Sequence, residues 1–139
     1  IIDLTKYPRI LRLGGLEVSK IEKVIGKKIK RVINPKKKFS PGQSMLHYSP
    51  GIPVRTNIKI PNKNEAYILI KKKDREKKSN YFYLSKKNNL NEAAQNLYSL
   101  LREIKKKGYK SIAVEKIPNS GIGQSINDRL KRASKFKIV

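Results

Sequence analysis

Ala66-Tyr67-Ile68-Leu69-Ile70 is an uninterrupted apolar run, with Glu65 before it and Lys71 after it. A run of this length and composition is typical of a strand buried on both faces of a parallel sheet. Two more strands are predicted further along the chain, at Tyr81-Phe82-Tyr83-Leu84 and Ser111-Ile112-Ala113-Val114-Glu115. The fold is therefore expected to centre on these three runs.

A helix is predicted between the last two strands, over about 91–107. Its apolar side chains recur every three to four positions: Ala93, Ala94, Leu97, Leu100, Leu101 and Ile104. Asn91 is the predicted N-cap, and Gly108 is predicted to follow the last turn. A short strand from Val54 to Ile58 and a final helix carrying Ile126, Leu130 and Ala133 complete the alternation. It predicts an α/β, Rossmann-like unit whose mostly parallel sheet is flanked by helices.

The part of the chain before residue 53 has a different pattern. Strands are predicted at 1–4 and 9–12, followed by a short helix that ends at Gly26. The segment from residue 26 to residue 52 is rich in lysine and proline, and it is predicted to be an extended or irregular linker. Because the sequence begins at Ile1 without a methionine, we expect it to be a piece of a longer protein.

Composition limits the classes of function. The 139 residues carry a formal net charge of +24 and include no cysteine. A charge of this size favours a polyanionic partner such as RNA, but a general lysine bias explains it equally well. Disulfides and cysteine metal sites are excluded, and a single histidine disfavours a zinc site made by protein ligands alone. No apolar run is long enough to span a bilayer, so a cytoplasmic protein without a membrane partner is expected.

The only histidine lies in Ser40-Pro41-Gly42-Gln43-Ser44-Met45-Leu46-His47-Tyr48-Ser49-Pro50, a loop-like segment. His47 has no carboxylate neighbour in sequence, so a role in holding the loop is favoured over a role as a general base. Tyr48 is interpreted either as a group that stacks on a base or binds phosphate, or as an anchor for the linker. Arg12 is interpreted either as a phosphate ligand or as an exposed charge at the end of a strand.

Near the C-terminus, Gly121-Ile122-Gly123 stands between a strand and a helix. Such a turn invites a phosphate-site interpretation, but the third glycine of a dinucleotide fingerprint is missing, which favours a tight turn. Asp128 and Arg129 are interpreted as structural. Asp128 and Arg132 are four residues apart, and a pair at this spacing contributes about 0.3–0.5 kcal/mol on a helix surface.

Three segments, in this order, resemble the long, two-domain threonylcarbamoyl-AMP synthases. Ile10-Leu11-Arg12-Leu13-Gly14-Gly15-Leu16 resembles the end of their YrdC-like domain. Ser40-Pro41-Gly42 through His47-Tyr48-Ser49-Pro50 resembles their linker, and Gly121-Ile122-Gly123 through Ala133 resembles their C-terminal segment. The resemblance divides the chain into a remnant of the YrdC-like catalytic domain, a linker and a Rossmann-like C-terminal domain, at 1–25, 26–52 and 53–139.

The resemblance implies an activity for the complete protein. Members of the family use ATP with Mg²⁺, L-threonine and bicarbonate to make threonylcarbamoyl-AMP and pyrophosphate, which makes them nucleotidyltransferase-type enzymes. The adenylate supplies the threonylcarbamoyl group of tRNA threonylcarbamoyladenosine. Because most of the YrdC-like domain is missing here, we expect this chain to act as a lid and regulator, with no catalytic residue, metal ligand or bound cofactor of its own.

The resemblance also implies roles for individual residues. Arg12 matches a nucleotide-contacting arginine, and Tyr48 matches the linker tyrosine near the nucleotide. The linker motif comprises Pro41, Gly42, His47, Ser49 and Pro50, and the C-terminal motif comprises Gly121, Gly123, Asp128 and Arg129. The missing YrdC-like domain is the implied partner, and tRNA is a further candidate partner.

Two other functions remain open on sequence grounds. A free-standing RNA-binding or tRNA-binding module would explain the charge, although aromatic residues make up only 7% of the chain. A purely structural domain would stabilise its missing partner without changing its turnover.

Overall fold

The structure is a computed structural model, and it describes residues 1–32, 48–71 and 78–135. In chain order these ranges contain the elements β1 (Ile2–Asp3), β2 (Arg9–Ile10), α1 (Val18–Ile25), β3 (Lys30–Arg31), β4 (Val54–Arg55), β5 (Ala66–Lys71), β6 (Tyr81–Ser85), α2 (Leu90–Lys106), β7 (Ile112–Val114) and α3 (Gly123–Ala133). They form two sheets, which define a first unit over 1–32 and an α/β unit over 54–135, with residues 48–53 before it.

The α/β unit is built on a sheet in the order β4-β7-β5-β6, and every neighbouring pair in it is parallel. β5 lies in the interior of the sheet, next to β7 and β6, and its residues from Ala66 to Ile70 are all buried. The apolar run with which the prediction began is therefore a strand covered on both faces, as its composition indicates. The prediction of a mostly parallel α/β fold is confirmed.

The two faces of this sheet are covered differently. Ala66, Ile68 and Ile70 of β5 pack in one core cluster with the apolar residues of α2 and α3. The alternate residues, Tyr67 and Leu69, belong to a second cluster on the opposite face. Successive strand side chains point to opposite faces, so both described helices of the α/β unit cover the same face of the sheet.

The N-cap of helix α2 differs from the prediction, and the helix begins at Leu90. Asn89, not Asn91, is the N-cap: its side-chain oxygen accepts hydrogen bonds from the backbone N–H groups of Asn91 (2.8 Å) and Glu92 (3.2 Å). The extended backbone of Asn89 allows this geometry, whereas Asn91 already lies within the helix. The predicted end is confirmed, because the helix ends at Lys106 and Gly108 has a φ of +87°.

The first unit is a small sheet with one helix. β1 and β2 are antiparallel, and β3 adds to β2 in parallel. Ile10, Val18 and Ile29 form its buried cluster. The sequence predicts an irregular segment from residue 26, whereas the structure has strand β3 there. This segment has too few alternating apolar residues to predict the strand. Ile29, which precedes the strand, packs in the buried cluster and holds it in place.

Several predicted strands are shorter in the structure. The strands expected at 1–4 and 9–12 have two paired residues each. The strand expected from Val54 to Ile58 ends at Arg55, and beyond it only the Ile58 backbone N–H bonds to Val114, at 3.0 Å. Glycine ends α1 as predicted: Gly26 has a φ of +75° and its N–H donates to the Glu22 carbonyl.

Candidate functional site

Arg12 and Tyr48, the two residues with predicted nucleotide contacts, meet in the structure. An Arg12 guanidinium N–H donates a hydrogen bond to the Tyr48 hydroxyl oxygen over 3.1 Å. Arg12 follows β2, and the backbone beside it is fixed by a hydrogen bond from the Leu11 N–H to the Ile1 carbonyl, at 2.9 Å. The contact joins residues 36 positions apart in sequence, so it is a product of the tertiary fold.

Tyr48 also stacks on the α/β unit. Its ring lies on the ring of Tyr98 in α2, with centroids 4.7 Å apart and an angle of 23° between the planes. Offset stacking of this kind contributes about 0.5–1.5 kcal/mol beyond the burial of the two rings. Tyr48 therefore has its ring on α2 and its hydroxyl on Arg12, and it connects the α/β unit with the first unit.

Arg129 of α3 completes the assembly on the other side of Tyr98. Its guanidinium carbon lies 5.3 Å from the centre of the Tyr98 ring, which is within the range of a cation–π interaction. The same guanidinium donates to the Ala94 carbonyl of α2 at 3.4 Å. We call the series Arg12, Tyr48, Tyr98 and Arg129 the tyrosine bridge.

The electrostatics of the bridge are dominated by two cations and a buried hydroxyl. The Tyr98 hydroxyl is buried and has no hydrogen-bond partner among the described residues. Burial raises the pKa of this hydroxyl, the charge of Arg129 acts in the opposite direction, and the neighbouring Tyr48 raises the pKa further. With the phenol neutral, Arg12 and Arg129 place two positive charges about the pair of rings. Planar guanidinium groups and a hydroxyl are suitable donors to phosphate oxygens.

The rest of the predicted linker motif is only partly described. Ser49 accepts a hydrogen bond from the Gly51 N–H through its hydroxyl oxygen, at 3.1 Å, and Pro50 is buried. Pro41, Gly42 and His47 lie outside the described residues. Ser49 and Pro50 therefore fix the chain direction just after Tyr48, since a turn and a buried ring leave it little freedom.

Gly123, in the predicted C-terminal motif, has a steric role. A Cβ atom there would lie 2.0 Å from the Pro118 carbonyl oxygen, so only glycine fits at the start of α3. Gly121 has a φ of +51°, and a Cβ on it would meet a carboxylate oxygen of Glu17 at 3.2 Å. These contacts favour the interpretation of the motif as a tight turn, here packed against the first unit.

Asp128, also in that motif, forms a buried ion pair. Its two carboxylate oxygens each accept a hydrogen bond from Arg132 at 3.1 Å, and Arg132 is only 1% exposed. The predicted pairing is confirmed, but the pair lies in the interior rather than on the surface. Removing one member would leave a buried charge, which costs several times the value expected for a surface pair.

Sequence reasoning missed two features of these units. Tyr98 stands beside the apolar stripe of α2 as a half-buried aromatic, and this position was its only sequence signal. The second feature is the buried carboxylate of Glu65, which accepts hydrogen bonds from the Arg55 guanidinium at 3.0 and 2.5 Å and from the Asn62 N–H at 3.1 Å. Its residues lie on β4 and in the loop before β5, so no local pattern joins them.

Two classes of feature are absent from the ranges that the structure describes. Within 1–32, 48–71 and 78–135, no three histidine, aspartate or glutamate side chains come together in a way that would hold a metal ion. None of the helices in these same ranges is both long enough and apolar enough to cross a bilayer.

Comparison with known proteins gives consistent matches. The family model described as threonylcarbamoyl-AMP synthase, C-terminal domain, matches residues 16–135. A curated relative, the threonylcarbamoyl-AMP synthase of Pyrococcus abyssi (strain GE5 / Orsay), is 31% identical over 159 aligned residues. The alignment covers 100% of this chain but 46% of the relative, so the chain spans less than half the length of that protein.

Solved structures agree with this match. The crystal structure of P. abyssi Sua5 complexed with L-threonine superposes with a TM-score of 0.76 at 28% identity, over 96% of this chain and 44% of the other. A variant of P. abyssi Sua5, in which an adjacent histidine and tyrosine are both replaced by alanine, gives a TM-score of 0.70 at 25% identity. That match covers 96% of this chain and 43% of the variant.

Proposed function

Because this chain belongs to the family of threonylcarbamoyl-AMP synthase C-terminal domains, we propose that it forms the lid and regulatory portion of an L-threonylcarbamoyladenylate synthase. The complete enzyme would join ATP, L-threonine and bicarbonate into threonylcarbamoyl-AMP with release of pyrophosphate. The observation that carries the proposal is the hydrogen bond from Arg12 to Tyr48, with Tyr48 stacked on α2. Tyr48, a residue of the linker, thereby connects Arg12 to the α/β unit, and the guanidinium of Arg12 is a group of the type that binds phosphate.

The geometry supports a gating role for Tyr48. A lid that closes over an adenylate excludes water from a hydrolysable mixed anhydride, and its movement gates substrate entry and product release. The Tyr48 hydroxyl accepts a hydrogen bond from one N–H group of Arg12. A nucleotide that binds Arg12 therefore either displaces Tyr48 or binds beside it. His47 and Tyr48 are an adjacent histidine and tyrosine, the same pair of residue types that is replaced in the P. abyssi Sua5 variant.

The surface of the first unit supports a catalytic-domain partner. Large apolar side chains are exposed on it: Ile1, Leu4, Tyr7, Leu16 and Val24. Beside them is an apolar hollow of about 220 Å³, bounded by Ile2, Ile10 and Leu13 and reached by Arg12. Exposed apolar side chains beside an apolar hollow are typical of a protein interface, so we assign this surface to the YrdC-like catalytic domain.

The proposed cofactor is ATP with Mg²⁺ in the complete enzyme. Arg12 and Tyr48 fit the phosphate groups of the nucleotide, because they offer a guanidinium fork and a hydroxyl. Mg²⁺ would supply charge neutralisation at the phosphates. Its oxygen ligands are not assigned to any of the described side chains, since these form no carboxylate cluster. The protein's own contribution here is to orient the nucleotide and to exclude water.

The test is an activity assay in the protein that carries the catalytic domain together with this chain. We expect Arg12→Ala and Tyr48→Phe each to lower the rate of threonylcarbamoyl-AMP formation by about tenfold, the effect of losing one charge-assisted hydrogen bond. Tyr109→Phe is the matched control, because the Tyr109 hydroxyl makes only a weak bond to the Ser79 carbonyl, at 3.4 Å. Wild-type rates in both Arg12→Ala and Tyr48→Phe would contradict the proposal.

RNA binding is a second candidate function, and the net charge of +24 favours it. Phosphate contacts release counterions, so specific binding to tRNA would weaken steeply as the salt concentration rises. A filter-binding titration with unmodified tRNA, repeated at several salt concentrations, measures this slope. Absence of detectable binding at low salt would exclude this function.

A further inference from the structure

A cavity of about 360 Å³ opens at one edge of the α/β unit, away from the tyrosine bridge. Residues that follow β4, residues that follow β7 and one side of α3 line it. The polar members of this lining are Thr56, Asn57, Lys116, Asn119, Asn127, Lys131 and Ser134. Because β4 and β7 are neighbouring parallel strands, the cavity lies at the carboxyl ends of two adjacent strands.

The chain leaves these two strands towards opposite faces of the sheet. After β4, Ile58 packs with Tyr67 and Leu69 on the face opposite α2 and α3. After β7, the chain enters α3, whose apolar residues pack in the cluster on the other face. Such a divergence between neighbouring strands opens a crevice at their carboxyl ends, and it is where open α/β sheets bind ligands.

The cavity is electropositive. Lys116 and Lys131 are exposed at its rim, and neither has an ion-pair partner among the described residues. None of the lining residues that the structure describes carries a carboxylate, and the two nearest acids in sequence form contacts elsewhere. Glu115 accepts a hydrogen bond from the Ile70 N–H, and Asp128 holds Arg132. The two lysine charges are therefore not neutralised within the cavity.

We propose that this cavity binds a small phosphate-bearing ligand. Lysine binds phosphate as a compact charge with three donors, and the Thr56 hydroxyl adds a neutral donor beside the two lysines, whereas the Ser134 hydroxyl donates to the Lys131 carbonyl at 3.0 Å. Asn127 has a positioning role, because its amide donates to the Ile117 carbonyl at 3.2 Å and to the Asn119 side-chain oxygen at 3.3 Å. The volume suits a small molecule rather than an RNA backbone, which needs an extended basic surface.

The proposal is independent of the lid function, since none of the residues that line the cavity belongs to the tyrosine bridge. It is tested with the full chain, by recording amide signals in ¹H–¹⁵N correlation spectra during titration with pyrophosphate and, separately, with inorganic phosphate. A salt concentration of about 0.15 M screens weak attraction to the many surface lysines. We expect saturable shifts that are concentrated at Asn57, Lys116 and Asn119.

Two double variants with the same change in charge separate a site from general attraction. Lys116→Ala with Lys131→Ala is expected to weaken pyrophosphate binding by about tenfold or more. Lys63→Ala with Lys110→Ala removes two exposed lysines outside the cavity and is expected to leave binding unchanged. Undisturbed signals from β5 verify that each variant is folded.

Four results would overturn the proposal. Equal weakening in both double variants would show general electrostatic attraction, as would shifts spread over all exposed lysines. Shifts at the cavity with a short RNA but none with pyrophosphate or phosphate would assign the surface to nucleic acid. Absence of any shift with pyrophosphate, at concentrations where the wild-type chain stays folded, would exclude a phosphate site.

Discussion

Tyr48 and Tyr98 lie where the first unit and the α/β unit meet. One ring is placed by the linker and the other by α2, and an arginine from each unit flanks the pair. Tyr98 is the less obvious member, because its hydroxyl is buried without a partner among the described residues. Its ring and its hydroxyl therefore have opposite effects on stability, and substitutions can separate them.

Removing only the hydroxyl of Tyr98 is expected to stabilise the protein. Tyr98→Phe keeps the stack on Tyr48 and removes a buried hydroxyl that has no hydrogen-bond partner among the described residues, so the free energy of unfolding should rise by about 1 kcal/mol. Tyr98→Ala also removes the ring, and it should lower that free energy by about 3 kcal/mol. Urea denaturation measures both. A loss of similar size in both variants would show that the hydroxyl makes a stabilising hydrogen bond.

Gly123 is a second position where adding or removing one side-chain atom is expected to change the stability of the protein. Gly123→Ala places a Cβ within 2.0 Å of the Pro118 carbonyl oxygen, so the backbone at the start of α3 must shift. We expect a loss of about 1–3 kcal/mol in the free energy of unfolding. Gly14→Ala is the matched control, since a Cβ at Gly14 would meet no atom within 4 Å. Equal stability of Gly123→Ala and the wild type in chemical denaturation would contradict this steric role.

At the scale of elements, helix α2 organises the α/β unit. Its apolar side packs on the sheet and on α3, while Tyr98 on the same helix meets the linker. The helix begins with a side-chain cap and ends just before a glycine with positive φ. Since an uncapped first turn leaves backbone N–H groups without partners, the position of the cap fixes where α2 starts.

The position of the N-cap of α2 can be tested by substituting Asn89 and Asn91 separately. Asn89→Ala removes the acceptor of two backbone N–H groups, and we expect it to lower the free energy of unfolding by about 1 kcal/mol. Asn91→Ala is the control, because Asn91 is also exposed and lies within the helix. It should change stability by less than about 0.5 kcal/mol. Thermal unfolding followed by circular dichroism distinguishes the two, and the reverse order would move the cap to Asn91.

At the scale of the whole molecule, charge is the dominant property. A net charge of +24 is concentrated on 139 residues, so the folded chain repels itself at low salt and attracts polyanions. The chain has few carboxylates, and those described form ion pairs or hydrogen bonds: Asp3, Glu17, Glu22, Glu65, Glu92, Glu103, Glu115 and Asp128. Protonation of buried carboxylates should therefore control stability in acid.

Glu65 gives the clearest pH dependence. Burial works to raise its pKa, but hydrogen bonds from Arg55 and Asn62 outweigh burial, so its pKa lies below its ordinary value of 4.5. A carboxyl whose pKa is lowered on folding stabilises the protein above the unfolded-state pKa, and this contribution is lost as the pH falls through the folded-state pKa. We expect Glu65→Gln to lower the free energy of unfolding at neutral pH by about 2 kcal/mol.

The same substitution should flatten the pH profile, because the neutral amide no longer titrates. Melting temperatures of Glu65→Gln and of the wild type, measured from neutral pH down to about pH 2, are expected to converge in acid. Glu103→Gln is the control: its ion pair with Lys107 is exposed and contributes little. Parallel profiles for Glu65→Gln and the wild type would remove Glu65 as the source of the acid sensitivity.

The amino-acid sequence by itself determined the local structure and the family. Apolar periodicity placed β5, β6, α2 and β7 within a few residues of their observed bounds, and the spacing of Asp128 and Arg132 predicted their pair. These features depend on residues that are close in sequence, where strand alternation and helical spacing act directly. The three motifs also indicated the family to which the comparisons assign the chain.

Only the tertiary structure decided which distant groups meet. The sheet order β4-β7-β5-β6, the pairing of Arg55 with Glu65, the addition of β3 to the first sheet and the tyrosine bridge all join residues that no local pattern connects. The cavity at the carboxyl ends of β4 and β7 depends on the same strand order, because that order makes the two strands neighbours. The physical reason is that side-chain periodicity specifies which face of an element is buried, whereas its partner is selected by packing in three dimensions.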